Sequence, residues 1–180
     1  MKKDPLRPFA AIGMITHHFE VCEWHLSETF QLLCEADNDA PFQAFGHIIS
    51  SNLRLTMTKT ALSICMPRRS AIRQRIETLL VEFDDCQTLR NRSIHQSLVP
   101  RLEDEDLAFT GQPLWHQTLR YTKKGLKPGQ GQSPDQLEET FFRIQQLSFE
   151  MQDALRDLAA FLRRRRRHHR QRRSPGIAYL

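Results

Sequence analysis

Six consecutive residues, Arg90-Asn91-Arg92-Ser93-Ile94-His95, bring together three side chains that can do chemistry on a phosphate ester. An imidazole titrates near pH 6.5, so His95 can take or give a proton at neutral pH. Arg90 can grip a phosphate with its planar fork and stabilise charge that builds up on it. Asn91 and His95 are four residues apart, so they share a face while a helix persists, and the amide can orient the ring. Arg90 and His95 are five apart and diverge by about 140° on an ideal helix. They converge only where the helix ends or distorts, or where a second subunit completes the site. The plainer reading is a surface Arg and His at a helix C-terminus, where positive side chains meet the helix dipole favourably.

Two further groupings carry weaker signals. His18, Cys22 and His25 fall on one side of a helix at steps of four and three, a spacing that can ligate a metal. They also lie on or beside an apolar stripe, with no C-x-x-C or H-E-x-x-H nearby, so buried structural residues are expected and no metal or cofactor is. Trp115 and Tyr121, with Arg120, Lys123 and Lys124 beside them, resemble a surface that stacks bases and holds phosphates, although such residues more often cover the end of a helical core.

These residues need elements to hold them. From Phe9 to about Ala36, Ile12, Ile15, Phe19, Cys22, Leu26, Phe30 and Leu33 recur every three or four residues, which predicts an amphipathic helix. Asn38-Asp39-Ala40-Pro41 supplies capping side chains and a first-turn proline for a second helix from Pro41 to about Met66. The short connection favours an antiparallel pair. Pro67-Arg68-Arg69-Ser70 marks the next reversal, with Ser70 as N-cap of a third helix striped by Ile72, Ile76, Leu79, Leu80 and Phe83. Its pattern loosens from Arg90 to His95, and Pro100 bounds it.

Residues 101–133 hold Gly111, Pro113, Gly125, Pro128, Gly129 and Gly131 and are not helical throughout. Trp115 to Thr122 alternates and is rich in β-formers, predicting a strand that pairs with Leu107 to Thr110 across Gly111 to Pro113. Ser133-Pro134-Asp135-Gln136 opens a fourth helix with the seam Leu137, Phe141, Ile144, Ser148, Met151, Leu155, Leu158, Leu162. The expected fold is all-α: an up-and-down four-helix bundle with a small β-hairpin between helices three and four, spanning residues 1–162.

RNRSIH at the end of the third of four helices resembles the signature of HEPN domains, whose motif is Arg, four to six residues beginning with a polar one, then His. As architecture the resemblance extends over about Phe9 to Leu162, including a β-excursion before the last helix that some bacterial relatives share; as sequence it is these six residues. It implies a metal-independent endoribonuclease, a hydrolase in which Arg90, Asn91 and His95 act on RNA, and a homodimer that pairs two motifs. Arg92, and Glu23 on the first helix, are candidate supporting residues. Many HEPN-like domains instead lack activity or act as binding modules, so a non-catalytic protein-interaction or RNA-binding module is the alternative. An antitoxin-like protein partner and a toxin or defence role are further candidates that the residues leave open.

The 180 residues carry a formal charge of +5, but its distribution is uneven. Arg163 to Arg173 reads RRRRRHHRQRR, with eight Arg (Arg163, Arg164, Arg165, Arg166, Arg167, Arg170, Arg172, Arg173) and no acid, whereas the remainder holds 18 basic and 21 acidic residues. The high pI therefore reports a tail on a mildly acidic body. Residues 163–180 are read as a basic tail, partly helical and then disordered, able to bind RNA or another anionic surface without sequence specificity. Cys22, Cys34, Cys65 and Cys86 form no C-x-x-C pair and read as structural thiols in a reducing compartment. No stretch approaches the about 20 apolar residues of a membrane span. The N-terminus lacks a small-residue cleavage site, so a cytoplasmic protein is expected. A P-loop, a G-x-S-x-G elbow and a zinc-deaminase pattern are absent, which removes support for the corresponding chemistries.

Overall fold

The computed structural model describes residues 7–34, 39–94, 97–99, 115–117, 119–122, 125–128 and 132–173. Its elements are α1 (Arg7–Leu33), α2 (Ala40–Gly46), α3 (Ser51–Cys65), α4 (Ala71–Ile94), β1 (Ser97–Val99), β2 (Trp115–Gln117), β3 (Leu119–Thr122), β4 (Gly125–Pro128) and α5 (Pro134–Arg173). The fold class is all-α, the short strands lying between α4 and α5. No helix among the described residues is long and apolar enough to cross a membrane.

The chain divides into two compact units, Met1–Glu23 with Val81–Ser148 and Trp24–Leu80 with Phe149–Leu180, so that α1, α4 and α5 each contribute to both. In the first unit the core is Ala11, Ile15, Phe19 and Cys22 of α1, Phe83 and Cys86 of α4, and Leu137, Ile144 and Leu147 of α5, all buried. Each large side chain removed from water contributes about 1.5–3 kcal/mol. The Phe19 and Phe83 rings meet at 5.1 Å. Within this unit Arg7 of α1 pairs with Glu138 and Asp135 of α5, and the Cys22 thiol points at the Ile144 carbonyl.

In the second unit the core is Leu26, Leu33, Phe45, Leu55, Leu62, Met66, Ile76, Leu79, Leu80, Met151, Ala154, Leu158 and Leu162. Phe30 stacks on Phe45 at 4.8 Å, and Trp24 meets Phe42 edge-on at 4.9 Å. The C-terminal end of α3 is held by arginines: Arg73 donates to the Ser63 and Met66 carbonyls, and Arg165 of α5 donates to the Cys65 carbonyl at 2.8 Å. Guanidinium groups suit this position because the last carbonyls of a helix lack intrahelical partners and carry its negative pole.

The helix starts follow from capping chemistry. Ser133 Oγ accepts the Gln136 N–H at 3.2 Å while Gln136 Oε1 accepts the Ser133 N–H at 2.8 Å, a reciprocal capping box at the head of α5. Ser70 stands directly before α4, its carbonyl accepting the Gln74 N–H.

Three expectations change. The helix read from Pro41 to Met66 is two helices, giving five among the described residues; the chain turns at residues 47–50, where Ser50 Oγ accepts the Leu53 N–H and starts α3 afresh. Gly46, the weakest helix former there, ends α2, and Arg54 holds the connection by donating to the Ile48 and Gly46 carbonyls. Asp39 precedes α2 but makes no side-chain cap bond; its carboxylate accepts from Gln31 Nε2 at 3.3 Å. Asn38 lies outside the described residues. The strand read over 115–122 is two, β2 pairing antiparallel with β1 and β3 with β4, while the expected partner 107–110 lies outside the described residues. Gly125 and Pro128 are poor strand formers, and only two residues separate β3 from β4, a separation that favours pairing over propensity.

Candidate functional site

α4 carries the arginine–asparagine pair because its apolar stripe runs on past Phe83 through the buried Cys86 and Ser93, keeping the last turns helical. The helix ends at Ile94, between Arg90 and His95, and β1 begins at Ser97. His95 itself lies outside the described residues.

Arg90 is half-buried, with its guanidinium carbon 5.6 Å from the Phe19 ring centroid. A cation over an aromatic face gains about 0.5–1 kcal/mol. Its Nη1 donates to Asn91 Oδ1 at 3.0 Å, and its buried Nε has no hydrogen-bond partner. One turn earlier, Gln87 Oε1 is also buried without a partner. Among the described residues no carboxylate pairs with Arg90. Ser93 Oγ lies 3.1 Å from both the Leu89 carbonyl and Gln132 Oε1, tying the end of α4 to the residue that leads into α5.

Of the supporting candidates, Arg92 is exposed at the end of α4 and Glu23 is half-buried on α1. Phe19 and Gln87 are contributors that the motif did not indicate. Spacing places Phe19 on the core stripe of α1 and does not say that its ring also faces a cation.

His18, Cys22 and His25 do not come together as a metal centre. Cys22 is fully buried with its thiol aimed at the Ile144 carbonyl, and burial pushes that thiol up to about 12. His25 Nδ1 lies 3.0 Å from Glu28 Oε2. Burial, and then the neighbouring His17, hold the His18 imidazole below its ordinary value, with its ring against Phe141 at 5.5 Å. Among the described residues no group of three or more His, Cys, Asp or Glu side chains is placed to hold a metal ion.

Trp115 lies on β2, and Arg120 and Tyr121 on β3, paired in register with Lys127 and Leu126 respectively. Lys123 and Lys124 lie outside the described residues. Arg163 to Arg167 are exposed on α5, and the helix continues through Arg170, Arg172 and Arg173. Compared with known proteins, the chain matches no family model, no curated protein and no solved structure.

Proposed function

We propose that the chain is a HEPN-like protein that cleaves RNA without a metal, its long helices α1, α3, α4 and α5 corresponding to the four of the bundle and its two strand pairs to the β-excursion before the last helix. Arg90, Asn91 and His95 form the site, Glu23 and Arg92 support it, and a homodimer brings two motifs together. The observation that carries the reading is the state of Arg90. A guanidinium stays charged at every accessible pH, and a half-buried one that meets no acid among the described residues is costly unless an anion completes it. A phosphodiester supplies that anion. His95 takes the proton of a ribose 2′-hydroxyl, whose oxygen attacks the adjacent phosphorus; the bond to the 5′-oxygen breaks, and that oxygen leaves with a proton from the partner subunit's copy of the same imidazole. Arg90 stabilises the charge on the phosphoryl oxygens. The Arg-rich end of α5 adds affinity for the backbone.

The test is incubation of the protein and its His95→Ala variant with labelled single-stranded and structured RNA in EDTA, alongside sizing of the native species. Cleavage by the wild-type dimer alone, leaving 2′,3′-cyclic phosphate ends, is the expected result. Equal products from both proteins would sink the assignment.

A second reading, a non-catalytic protein-interaction or RNA-binding module, is favoured by the bond from Arg90 to Asn91 Oδ1, which occupies the amide oxygen and suits a simple helix ending. Under that reading His95→Ala weakens the dimer and there is no cleavage to lose.

A further inference from the structure

The basic segment is not a loose tail in register terms, because α5 continues as one helix from Pro134 to Arg173. At 100° per residue, Arg163, Arg166, Arg167, Arg170 and Arg173 fall within an arc of about 120°, over a length of about 15 Å. Arg165 lies elsewhere: it continues the arc of Leu158 and Leu162, the last buried residues of α5, and its guanidinium is turned to the Cys65 carbonyl. Arg164 and Arg172 also fall off the five-residue arc.

We propose that this stripe of Arg163, Arg166, Arg167, Arg170 and Arg173 is a preformed helical dock for the phosphate backbone of a nucleic acid. The proposal rests on the reading that nucleic acid is the ligand, and adds which arginines bind it and in what conformation.

Three observations favour that occupant. No Asp or Glu follows Asp157 in the sequence, so residues 163–173 carry positive charge with no negative charge interleaved. Like charges three and four residues apart on a helix repel, so the stripe opposes its own helix and a polyanion relieves that repulsion. The C-terminal dipole offsets part of the repulsion but reaches only the last turn. Finally, residues 163–173 include no apolar side chain, so the segment lacks the greasy face with which interfacial helices enter a membrane. Guanidinium forks match phosphate oxygens two at a time, and successive arginines on one face follow a single strand of regularly spaced phosphates.

The experiment uses the full chain carrying His95→Ala, so that binding is read without turnover. Two double variants remove equal charge from different faces: R163Q/R170Q on the stripe and R164Q/R172Q off it. Gln keeps helix propensity close to that of Arg, and circular dichroism checks that helicity is unchanged. Affinity for a fluorescein-labelled RNA hairpin, a single-stranded RNA and a DNA duplex is measured across a salt series, beside phosphatidylserine vesicles. The stripe pair is expected to weaken nucleic-acid binding at least about tenfold and to flatten the salt dependence by about two contacts. The off-stripe pair is expected to stay within about threefold of the parent, since its charges do not meet the backbone. Equal losses in both pairs would overturn the proposal in favour of unstructured charge attraction. Tighter binding to the vesicles than to any nucleic acid would overturn it in favour of a membrane. Cleavage by the His95 parent is scored separately, so a failed nuclease assay with an intact face preference leaves the dock standing, and the reverse result leaves the nuclease standing.

Discussion

The Arg90 guanidinium lies over the Phe19 ring, 5.6 Å from its centroid, while its buried Nε finds no acceptor. One contact holds the charge in place and the missing one leaves it under-compensated. That combination separates what Arg90 does for stability from what it does for function.

Arg90→Met tests the separation. Methionine keeps the length and apolar stem and can lie against Phe19, while removing a partly desolvated charge that no acid among the described residues balances. Replacing buried charge by apolar bulk is often neutral or stabilising by about 1–4 kcal/mol, and the half-exposed setting puts this variant at the low end. Urea unfolding should therefore show an unchanged or higher midpoint. RNA cleavage should fall by about 10²–10³, the usual loss when one preorganised donor to the transition state goes. A large loss of stability would mark Arg90 as a structural residue.

Alkaline pH should destabilise the protein through two thiols. Burial raises Cys22 and Cys86 from the ordinary 9.0 to about 12. Between those values the unfolded chain has lost thiol protons that the folded chain retains, so stability present below pH 9 declines as pH rises toward 12. Each thiol contributes a slope of up to about 1.4 kcal/mol per pH unit. Denaturant titrations at pH 8, 9.5 and 10.5 should show the decline, and Cys86→Ala should reduce its slope. A thiol reagent at pH 8 should label exposed Cys34 in the native state and reach Cys22 and Cys86 only after unfolding.

Gly13 sits in the middle of α1, is exposed, and leaves open space where a Cβ would stand. Gly13→Ala should raise stability by about 1 kcal/mol, because alanine loses less backbone entropy on folding and meets no clash. Thermal unfolding checks it.

Ser133→Ala breaks the capping box of α5. The Gln136 N–H loses its acceptor, and the expected cost is about 1 kcal/mol, with Ser133→Asp restoring most of it because a carboxylate caps equally well. Unfolding midpoints of the two variants decide whether the cap or the local packing is responsible.

Much of the helical framework was legible in the sequence. The stripe of α1 placed Ile12, Ile15, Phe19, Cys22, Leu26, Phe30 and Leu33 in the core; the structure buries five of them and leaves Ile12 and Phe30 half-buried. Periodicity works there because one face of a helix meets the core at every turn. In α5 the expected seam is slightly rotated: Leu137, Ile144, Ser148, Met151, Leu158 and Leu162 are buried, but Thr140, Leu147 and Ala154 take places in the core while Phe141 and Leu155 are half-buried. A 3.6-residue helix drifts against a strict seam, so small and polar residues are drawn inside where neighbouring helices approach. The break after Gly46 was missed because Phe45, Ile48 and Leu53 keep an apolar rhythm across it, and the bonds that hold the turn come from Arg54, further along the chain.

The sequence by itself determined the all-helical class, the concentration of positive charge after Leu162, and the presence of an arginine and an asparagine near the end of one long helix. These follow from residue type and spacing along a single chain. Only the tertiary structure decided that Arg90 sits over Phe19, that Cys22 points at a carbonyl 122 residues away, and that Arg165 turns to the end of α3. Each joins residues that packing makes neighbours, and spacing within one segment carries no record of such a partner.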